Sequence, residues 1–450
     1  MKKIKKIVSL FLVAMMLLPL AACAKSDSNA DKSEDTGAKT DTVQDDTKEP
    51  AKTTEEEVTL SLMVTTRPTT DDKDFYLDWL PELVKKEYPH INIQVEQLPT
   101  DQYKSTVKMK FASGQGPDIF TWWAGQQAKS LVDAGYVRNM SDFSQLGKFR
   151  EDIVNSYAFD DQAYAIPLGL SFLTTWYNKD AFEAAGISTL PANWDEFVDA
   201  CAKLKAAGYT PITMGDKQSF VIQFGTYQIG ASTIYADNMN FDNQLYTGET
   251  KFTDPQWVDT IEKYKYLYDQ GYVIENSLGL SQEQSRQAFL DGKAAMVFDG
   301  SFGYDALTQN GAVEFEKGML CIPSNAAGEE FVYNLTPSNG LFVSANSDKQ
   351  EAIDKVLELW FTEGTELFNK WVEKNDNISC YEGVEDSRDL INEYLLRYKD
   401  YKNIYNLNNA WPEGVSDVLC TKFQEVIAGS ATAEDVTKAM QDKFEQLTSN

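Results

Sequence analysis

Val58-Thr59-Leu60-Ser61-Leu62-Met63-Val64-Thr65 is a β-rich run, and Ile91-Asn92-Ile93-Gln94-Val95-Glu96-Gln97 alternates Ile91, Ile93 and Val95 to one side. Between them Asp74 to Tyr88 reads as a helix with Leu77, Leu80 and Val84 on one face. Strand, helix, strand is a βαβ unit, the seed of a parallel sheet. Beyond Gln97 a second helix is expected from about Asp101, with Tyr103, Val107 and Phe111 at i, i+4 and i+8 and Gly114 to stop it. Asp118 to Trp123 then reads as a buried strand. Asn193-Trp194-Asp195-Glu196 has an N-cap with its Glu at N3 and opens a helix that should run to Gly208. Ala294 to Phe298 and Leu341 to Ala345 are later strands, and Lys349 to Lys374 carries one long helical pattern.

A parallel-rich sheet binds ligands beyond the carboxyl ends of its strands, so those ends are informative. The first strand runs into Thr65-Thr66-Arg67, then Asp71 and Asp72; the second into Glu96-Gln97; the third into Trp122-Trp123. Ala294 to Phe298 runs into Asp299-Gly300-Ser301-Phe302. Sugars present an apolar C–H face and a rim of hydroxyls, and proteins meet them with a stacked ring plus carboxylate, amide or guanidinium groups. Neighbours on a strand point to opposite faces, so one of Trp122 and Trp123 belongs to the core and the other faces ligand.

The chain has 450 residues, 42% of them hydrophobic and 24% charged, with a formal net charge of −28. That composition is globular, and so much negative charge repels nucleic acid and anionic headgroups. A single histidine, His90, excludes His-rich zinc sites and multi-histidine relays; no metal or cofactor is expected. The cysteines at 23, 201, 321, 380 and 420 form no CxxC pair, and Cys201, Cys321, Cys380 and Cys420 are expected to be free, buried thiols.

At the amino end Lys2, Lys3, Lys5 and Lys6 precede an apolar stretch from Ile7 to Leu20 that is short for a membrane span, which marks an export signal over residues 1–22. Leu20-Ala21-Ala22-Cys23 resembles the lipobox of bacterial lipoproteins, so Cys23 is the expected lipid anchor. Residues 24–57 carry 11 acids and 5 bases with Val43 as the only large aliphatic residue. A segment of that composition buries no core and, with Cys23, makes a tether over 23–57. The remaining length exceeds what one core supports, so two domains are expected.

Several blocks, in order, carry a family resemblance. They are Ala112-Ser113-Gly114-Gln115-Gly116-Pro117-Asp118-Ile119-Phe120, Ala163-Tyr164-Ala165-Ile166-Pro167-Leu168 leading to Tyr177-Asn178-Lys179-Asp180, and Pro191-Ala192-Asn193-Trp194-Asp195-Glu196-Phe197. Phe289-Leu290-Asp291-Gly292-Lys293-Ala294-Ala295-Met296 with Gly300-Ser301-Phe302 follows, then Asn339-Gly340-Leu341 and Ala433-Glu434-Asp435-Val436. The chain resembles the sugar-binding lipoproteins of ABC importers, in the extracellular solute-binding protein family that includes the maltose-binding and multiple-sugar-binding proteins. It departs from them at Phe302, where the family often has Trp, and no block fixes the polar ligands of the second lobe.

The resemblance implies an α/β, two-lobed periplasmic-binding-protein-like fold of class II, with the ligand in a cleft between lobes joined by hinge crossovers. Lobe one would take 58–166 plus 334–382, and lobe two 167–333 plus 383–450. The implied function is capture of a mono- or oligosaccharide outside the cell for delivery to two permease subunits and a cytosolic ATPase. The implied chain is a monomer without enzymatic activity, held by its lipid at the outer face of the cytoplasmic membrane on a Gram-positive cell surface. Trp122 or Trp123 and Phe302 are the stacking candidates; Arg67, Asp71, Asp72 and Glu96 are strand-end polar candidates. Asp299 and Asn339 are further candidates, Phe172 and Trp176 are candidate liners with a core role as the alternative for Trp176, and Trp411 is a candidate platform in the loop Asn408-Asn409-Ala410-Trp411-Pro412. The rival readings are an exported glycoside hydrolase, for which Asp299 is the most suspicious carboxylate, and a peptide or polyamine receptor, which needs a carboxylate clamp.

Overall fold

The computed structural model describes residues 56–66 and 73–449. Val58–Thr65 pairs in parallel with Ile91–Leu98, Val58 opposite Ile91, and on its other side with Ile119–Trp123. Asn339–Val343 and then Ile166–Pro167 complete this five-stranded sheet in antiparallel sense. The helix between the first two strands begins as a π-helical turn, Phe75–Trp79, and continues as Leu80–Glu87. The carboxylate of Asp74 caps it, accepting the N–H groups of Tyr76 at 2.7 Å and Leu77 at 2.8 Å. The wide turn rotates the face that follows. Leu80 and Val84 are buried as expected, but Leu77 is 48% exposed and Phe75 and Tyr76 take its place in the core.

Helix Thr100–Ala112 buries Tyr103, Val107 and Phe111 and ends before Gly114, whose φ of +72° only glycine adopts readily. The Tyr103 hydroxyl lies 3.0 Å from the Met63 carbonyl and 2.7 Å from that of Thr121, joining two neighbouring strands. The long helical pattern after Lys349 is two helices, Gln350–Phe361 and Glu366–Lys374. Gly364 at φ +88° breaks it, and Thr365 recaps the chain by accepting the Phe368 N–H at 3.0 Å.

A second sheet has the order Lys317–Leu320, Leu173–Asn178, Ala294–Gly300, Thr210–Thr213. Ala294–Gly300 is buried along its whole length, which explains its unbroken apolar start. Helix Trp194–Ala206 packs beside this sheet and opens as expected: Asn193 accepts the Glu196 N–H at 3.0 Å and Glu196 accepts the Ala192 N–H at 2.8 Å.

The fold is thus α/β and two-lobed, one sheet to each lobe. Between the sheets Leu170–Ser171 runs antiparallel to Thr336–Pro337, and Leu170 exchanges backbone hydrogen bonds of 2.7 and 2.8 Å with Ile378. Gly169 makes this three-segment junction possible. At φ +139° it lies against Ile378, and a Cβ there would collide with the Ile378 carbonyl.

One hydrophobic cluster surrounds the first sheet and continues under Phe172, Trp176 and Tyr394. Another fills the far face of the second sheet with helices Ile222–Tyr235, Pro255–Asp269, Val415–Ile427 and Ala433–Thr448. Cys201, Cys321, Cys380 and Cys420 are free and buried within these clusters or beside them, and burial pushes the thiols of Cys321, Cys380 and Cys420 up to about 12. Among the described residues no helix is long and apolar enough to cross a membrane, and no cluster of His, Cys, Asp or Glu is placed to hold a metal ion.

Candidate ligand-binding cleft

A cleft of about 260 Å³ opens at the carboxyl ends of the first sheet's strands and is closed on its far side by the second sheet's turns. From the first sheet come Thr65, Thr66 and Trp123, with Asn339 directly opposite Trp123 in the strand register. The half-buried Trp123 ring has the Lys104 ammonium 4.8 Å from its centroid and the edge of Tyr103 beside it at 6.2 Å. From the second sheet comes Phe302, in the short turn Ser301–Gly303 that follows strand Ala294–Gly300. Its ring folds back across Gly300, and a Cβ at 300 would enter the ring, so the glycine sets the aromatic's position.

Phe302 does not stand alone. Phe224 lies 5.7 Å from it, centroid to centroid, and Phe220 lies 6.0 Å from Phe224. Phe220 lies in the short turn Ser219–Val221, and Phe224 lies four residues on, in the first turn of helix Ile222–Tyr235. Around the rings the polar lining is mostly neutral, with the amides Gln223, Gln282, Asn339, Asn377, Asn406, Asn408 and Asn409 beside hydroxyls such as Thr65, Thr66 and Ser338. An aromatic from each lobe with amides between them matches the two surfaces of a sugar, stacking on the C–H face and exchanging hydrogen bonds with the hydroxyls.

Trp123, Phe302 and Asn339 therefore share one cleft. Other expected residues do not reach it. Trp122 is fully buried and its indole N–H donates to the Gln127 carbonyl at 2.8 Å, so it is the core member of the Trp pair. Phe172 is core too, stacked on Tyr394 at 3.9 Å and 4°, and Trp176 is held under the Gly300 carbonyl at 3.2 Å. Glu96 points along the outer strand and pairs with Lys110 at 2.7 Å. Asp299 is 0% exposed and engaged by Arg286. Arg67, Asp71, Asp72 and Cys23 lie outside the described residues.

Trp411, expected as a platform, does not line the cleft. Its ring is 0% exposed, packed on Trp257 at 5.3 Å, and its N–H donates to the Asp242 carboxylate at 3.0 Å. The loop that carries it does reach the cleft, but through Asn406, Asn408 and Asn409. The carboxyl of Asp242, buried beneath, is pushed up to about 6 by loss of solvent, which the Trp411 and Tyr235 hydrogen bonds only partly offset.

The same loop touches the first lobe. Gln127 donates to the Asn408 carbonyl at 3.0 Å, Lys108 pairs with Glu413, and Gly125, at φ +65°, lies so close to Asn409 that a Cβ would strike its carbonyl. The residues missed in the sequence, Phe220, Phe224, Gln223, Gln282 and Arg286, all come from helix starts or helix faces. Their i, i+4 spacing looks the same whether a helix faces core or cleft.

A second cavity, of about 450 Å³, adjoins at Asp376 and Asn377 and is lined mainly by charged groups, among them Arg388, Asp386, Lys73 and Asp74. Its aromatic lining is Phe75, Trp371 and Tyr304, the last with the Arg388 guanidinium 5.4 Å from its ring centroid. The only histidine, His90, sits in the turn before strand Ile91–Leu98, at the opposite end of the sheet from the cleft.

Residues 70–366 match the family described as bacterial extracellular solute-binding protein. The chain is 24% identical to a multiple sugar-binding protein of Streptococcus mutans over 73% of this chain and 72% of the relative. It is 25% identical to a diacetylchitobiose-binding protein of Streptomyces coelicolor over 63% and 65%, respectively. Among solved structures, a chitin oligosaccharide binding protein superposes with a TM-score of 0.78 at 23% identity, covering 88% of this chain and all of the other. The match over most of the folded region, on a two-lobed fold with its cleft between the sheets, settles the family: this chain belongs to the bacterial extracellular solute-binding proteins.

Proposed function

We propose that the protein captures a neutral mono- or oligosaccharide outside the cell and hands it to an ABC importer. The observation that carries this reading is the pairing of Trp123 from one lobe with Phe302 and Phe224 from the other across an amide-lined cleft. The sugar-binding names among the relatives support it. Two permease subunits and a cytosolic ATPase complete the importer, and the binding protein acts as a monomer. Cys23 carries the lipid that holds it at the outer face of the cytoplasmic membrane. The segments at Leu170–Ser171, Thr336–Pro337 and Ile378 serve as the hinge between lobes, near the expected crossings.

The hydrolase reading loses its best carboxylate, because Asp299 is buried and neutralised by Arg286. The amine-receptor reading needs a carboxylate clamp, whereas Asp376 is the one acidic side chain among the described residues lining the cleft. Incubation with neutral oligosaccharides tests all three at once: the expected result is binding with every sugar recovered uncleaved, and cleavage or preferential binding of a polyamine would overturn the reading. Cys23→Ala should move the protein from the membrane fraction to the medium or to an unprocessed precursor. Equal membrane retention of both forms would remove the anchor.

A further inference from the structure

We infer that Arg286 and Gln282 read one uncharged oxygen substituent on the ligand, and that Asp299 serves to present Arg286 to it. The inference rests on the sugar-binding reading above and names what part of the sugar is read. Arg286 sits on helix Gln282–Leu290 and is only 6% exposed, yet it lines the cleft. Its Nε donates to Asp299 Oδ2 at 2.7 Å and its Nη2 to Asp299 Oδ1 at 2.8 Å. Among the described residues Nη1 has no acceptor. Nη1 is open to the cleft, where it is free to donate to a ligand in place of water.

Gln282, one turn earlier on the same helix, lines the cleft next to it. Its amide nitrogen is turned inward, 3.4 Å from Asp299 Oδ2, which leaves its carbonyl oxygen as an acceptor. Arg286 Nη1 thus supplies a donor and Gln282 Oε1 an acceptor side by side. Asp299 lies three residues before Phe302, and a Cβ on Gly303 would press against its carboxylate, so the pair is built under the turn that carries the stacking ring. A group that both accepts and donates satisfies both: a ring hydroxyl, or an acetamido group with its C=O on Arg286 and its N–H on Gln282.

A carboxylate suits this place poorly. The positive charge of Arg286 is already balanced by Asp299, so a ligand carboxylate on the far side of the same guanidinium would itself be left uncompensated and partly stripped of water. It would also leave the Gln282 oxygen without a donor. The site therefore selects neutral sugars over uronic acids.

The test uses the purified full chain with N,N′-diacetylchitobiose, maltotriose, raffinose and digalacturonate as probes, read by isothermal titration beside the melting temperature of the ligand-free protein. Arg286→Gln alone strands a buried carboxylate, so the informative variant is Arg286→Gln with Asp299→Asn, joined by Gln282→Met as an independent probe. The expected result is that a neutral probe binds wild type, digalacturonate binds at least tenfold more weakly, the double variant loses roughly 10- to 100-fold in affinity, and Gln282→Met loses a smaller, measurable factor while melting as wild type does. A hydroxyl and an acetamido source are told apart by which of the first two probes suffers the loss. Affinity within twofold of wild type in either folded variant, or tighter binding of digalacturonate than of every neutral probe, overturns the inference while leaving sugar binding intact. Failure of wild type to bind any neutral probe overturns both.

Discussion

Arg286 and Asp299 form a fork-to-fork ion pair, 2.7 and 2.8 Å between its two N–O contacts, at the end of the strand that leads into the Phe302 turn. Gln282 and the Gly300 N–H bring further hydrogen bonds to the same carboxylate, at 3.4 and 2.9 Å. A residue that looks catalytic in the sequence is therefore a structural anchor, and its burial makes its removal expensive.

Asp299→Ala should destabilise the ligand-free protein by about 3–5 kcal/mol, the cost of leaving a buried partner charge uncompensated. Chemical denaturation of wild type and variant measures it. A change below about 1 kcal/mol would mean that the pair is solvated and that Asp299 is open to ligand after all.

Truncating the rings separates cleft from core. Phe302→Ala or Trp123→Ala should weaken sugar binding by roughly 5- to 150-fold, the worth of about 1–3 kcal/mol of buried aromatic surface. Each should cost the ligand-free protein less than Trp411→Ala, which removes a fully buried ring and should cost about 3–5 kcal/mol. Melting curves without ligand alongside titrations decide it. Phe302→Ala with unchanged affinity per folded molecule would take the ring out of the site.

Gly125 should act as a contact point between lobes. Gly125→Ala places a methyl group against the Asn409 carbonyl and requires a side chain at φ +65°, so it should push the lobes apart. Small-angle scattering should show a larger radius of gyration and titration a weaker affinity, by about tenfold. Compact wild-type-like scattering would show that the second lobe yields instead.

Asp242 should give stability a pH dependence of definite sign. Its folded-state value of about 6 lies above the ordinary 3.8, so the folded state binds the proton more tightly. Its contribution is fully present below about 3.8 and is lost as pH rises through about 6, by roughly 2–3 kcal/mol in all. Asp242→Asn keeps an acceptor for Tyr235 or Trp411 without the charge. Its melting temperature should therefore gain on wild type between pH 5 and pH 8. A difference that stays constant across that range would contradict the assignment.

The sequence carried most of the strands of the first sheet, because strand and helix periods are local, but only Ala294 to Phe298 of the second, whose other three strands it did not show. It also carried the helix stops at Gly114 and Gly208 and the Asn193 cap. It did not carry the π-helical turn that exposes Leu77 or the break at Gly364 inside an otherwise continuous helical pattern. For the cleft, strand ends were enough to find Trp123, Phe302 and Asn339. Burial was the missing quantity elsewhere: a Trp at a loop, as at 411, and an Asp at a strand end, as at 299, look alike whether they face ligand or core. The partner that decides each one, Asp242 or Arg286, is set by tertiary packing. In the loop before Pro412 the asparagines line the cleft and the ring does not.

Binding of a neutral sugar between Trp123 and Phe302 is measured by titrating the purified chain with neutral oligosaccharides while following tryptophan fluorescence and recovering the ligand. The expected result is saturable binding of at least one of them at one site per chain, a fluorescence change that Trp123→Phe diminishes, and sugar recovered intact. Saturable binding whose fluorescence change and affinity are untouched in Trp123→Phe and Phe302→Ala, or no binding of any neutral oligosaccharide by the folded protein, would contradict it.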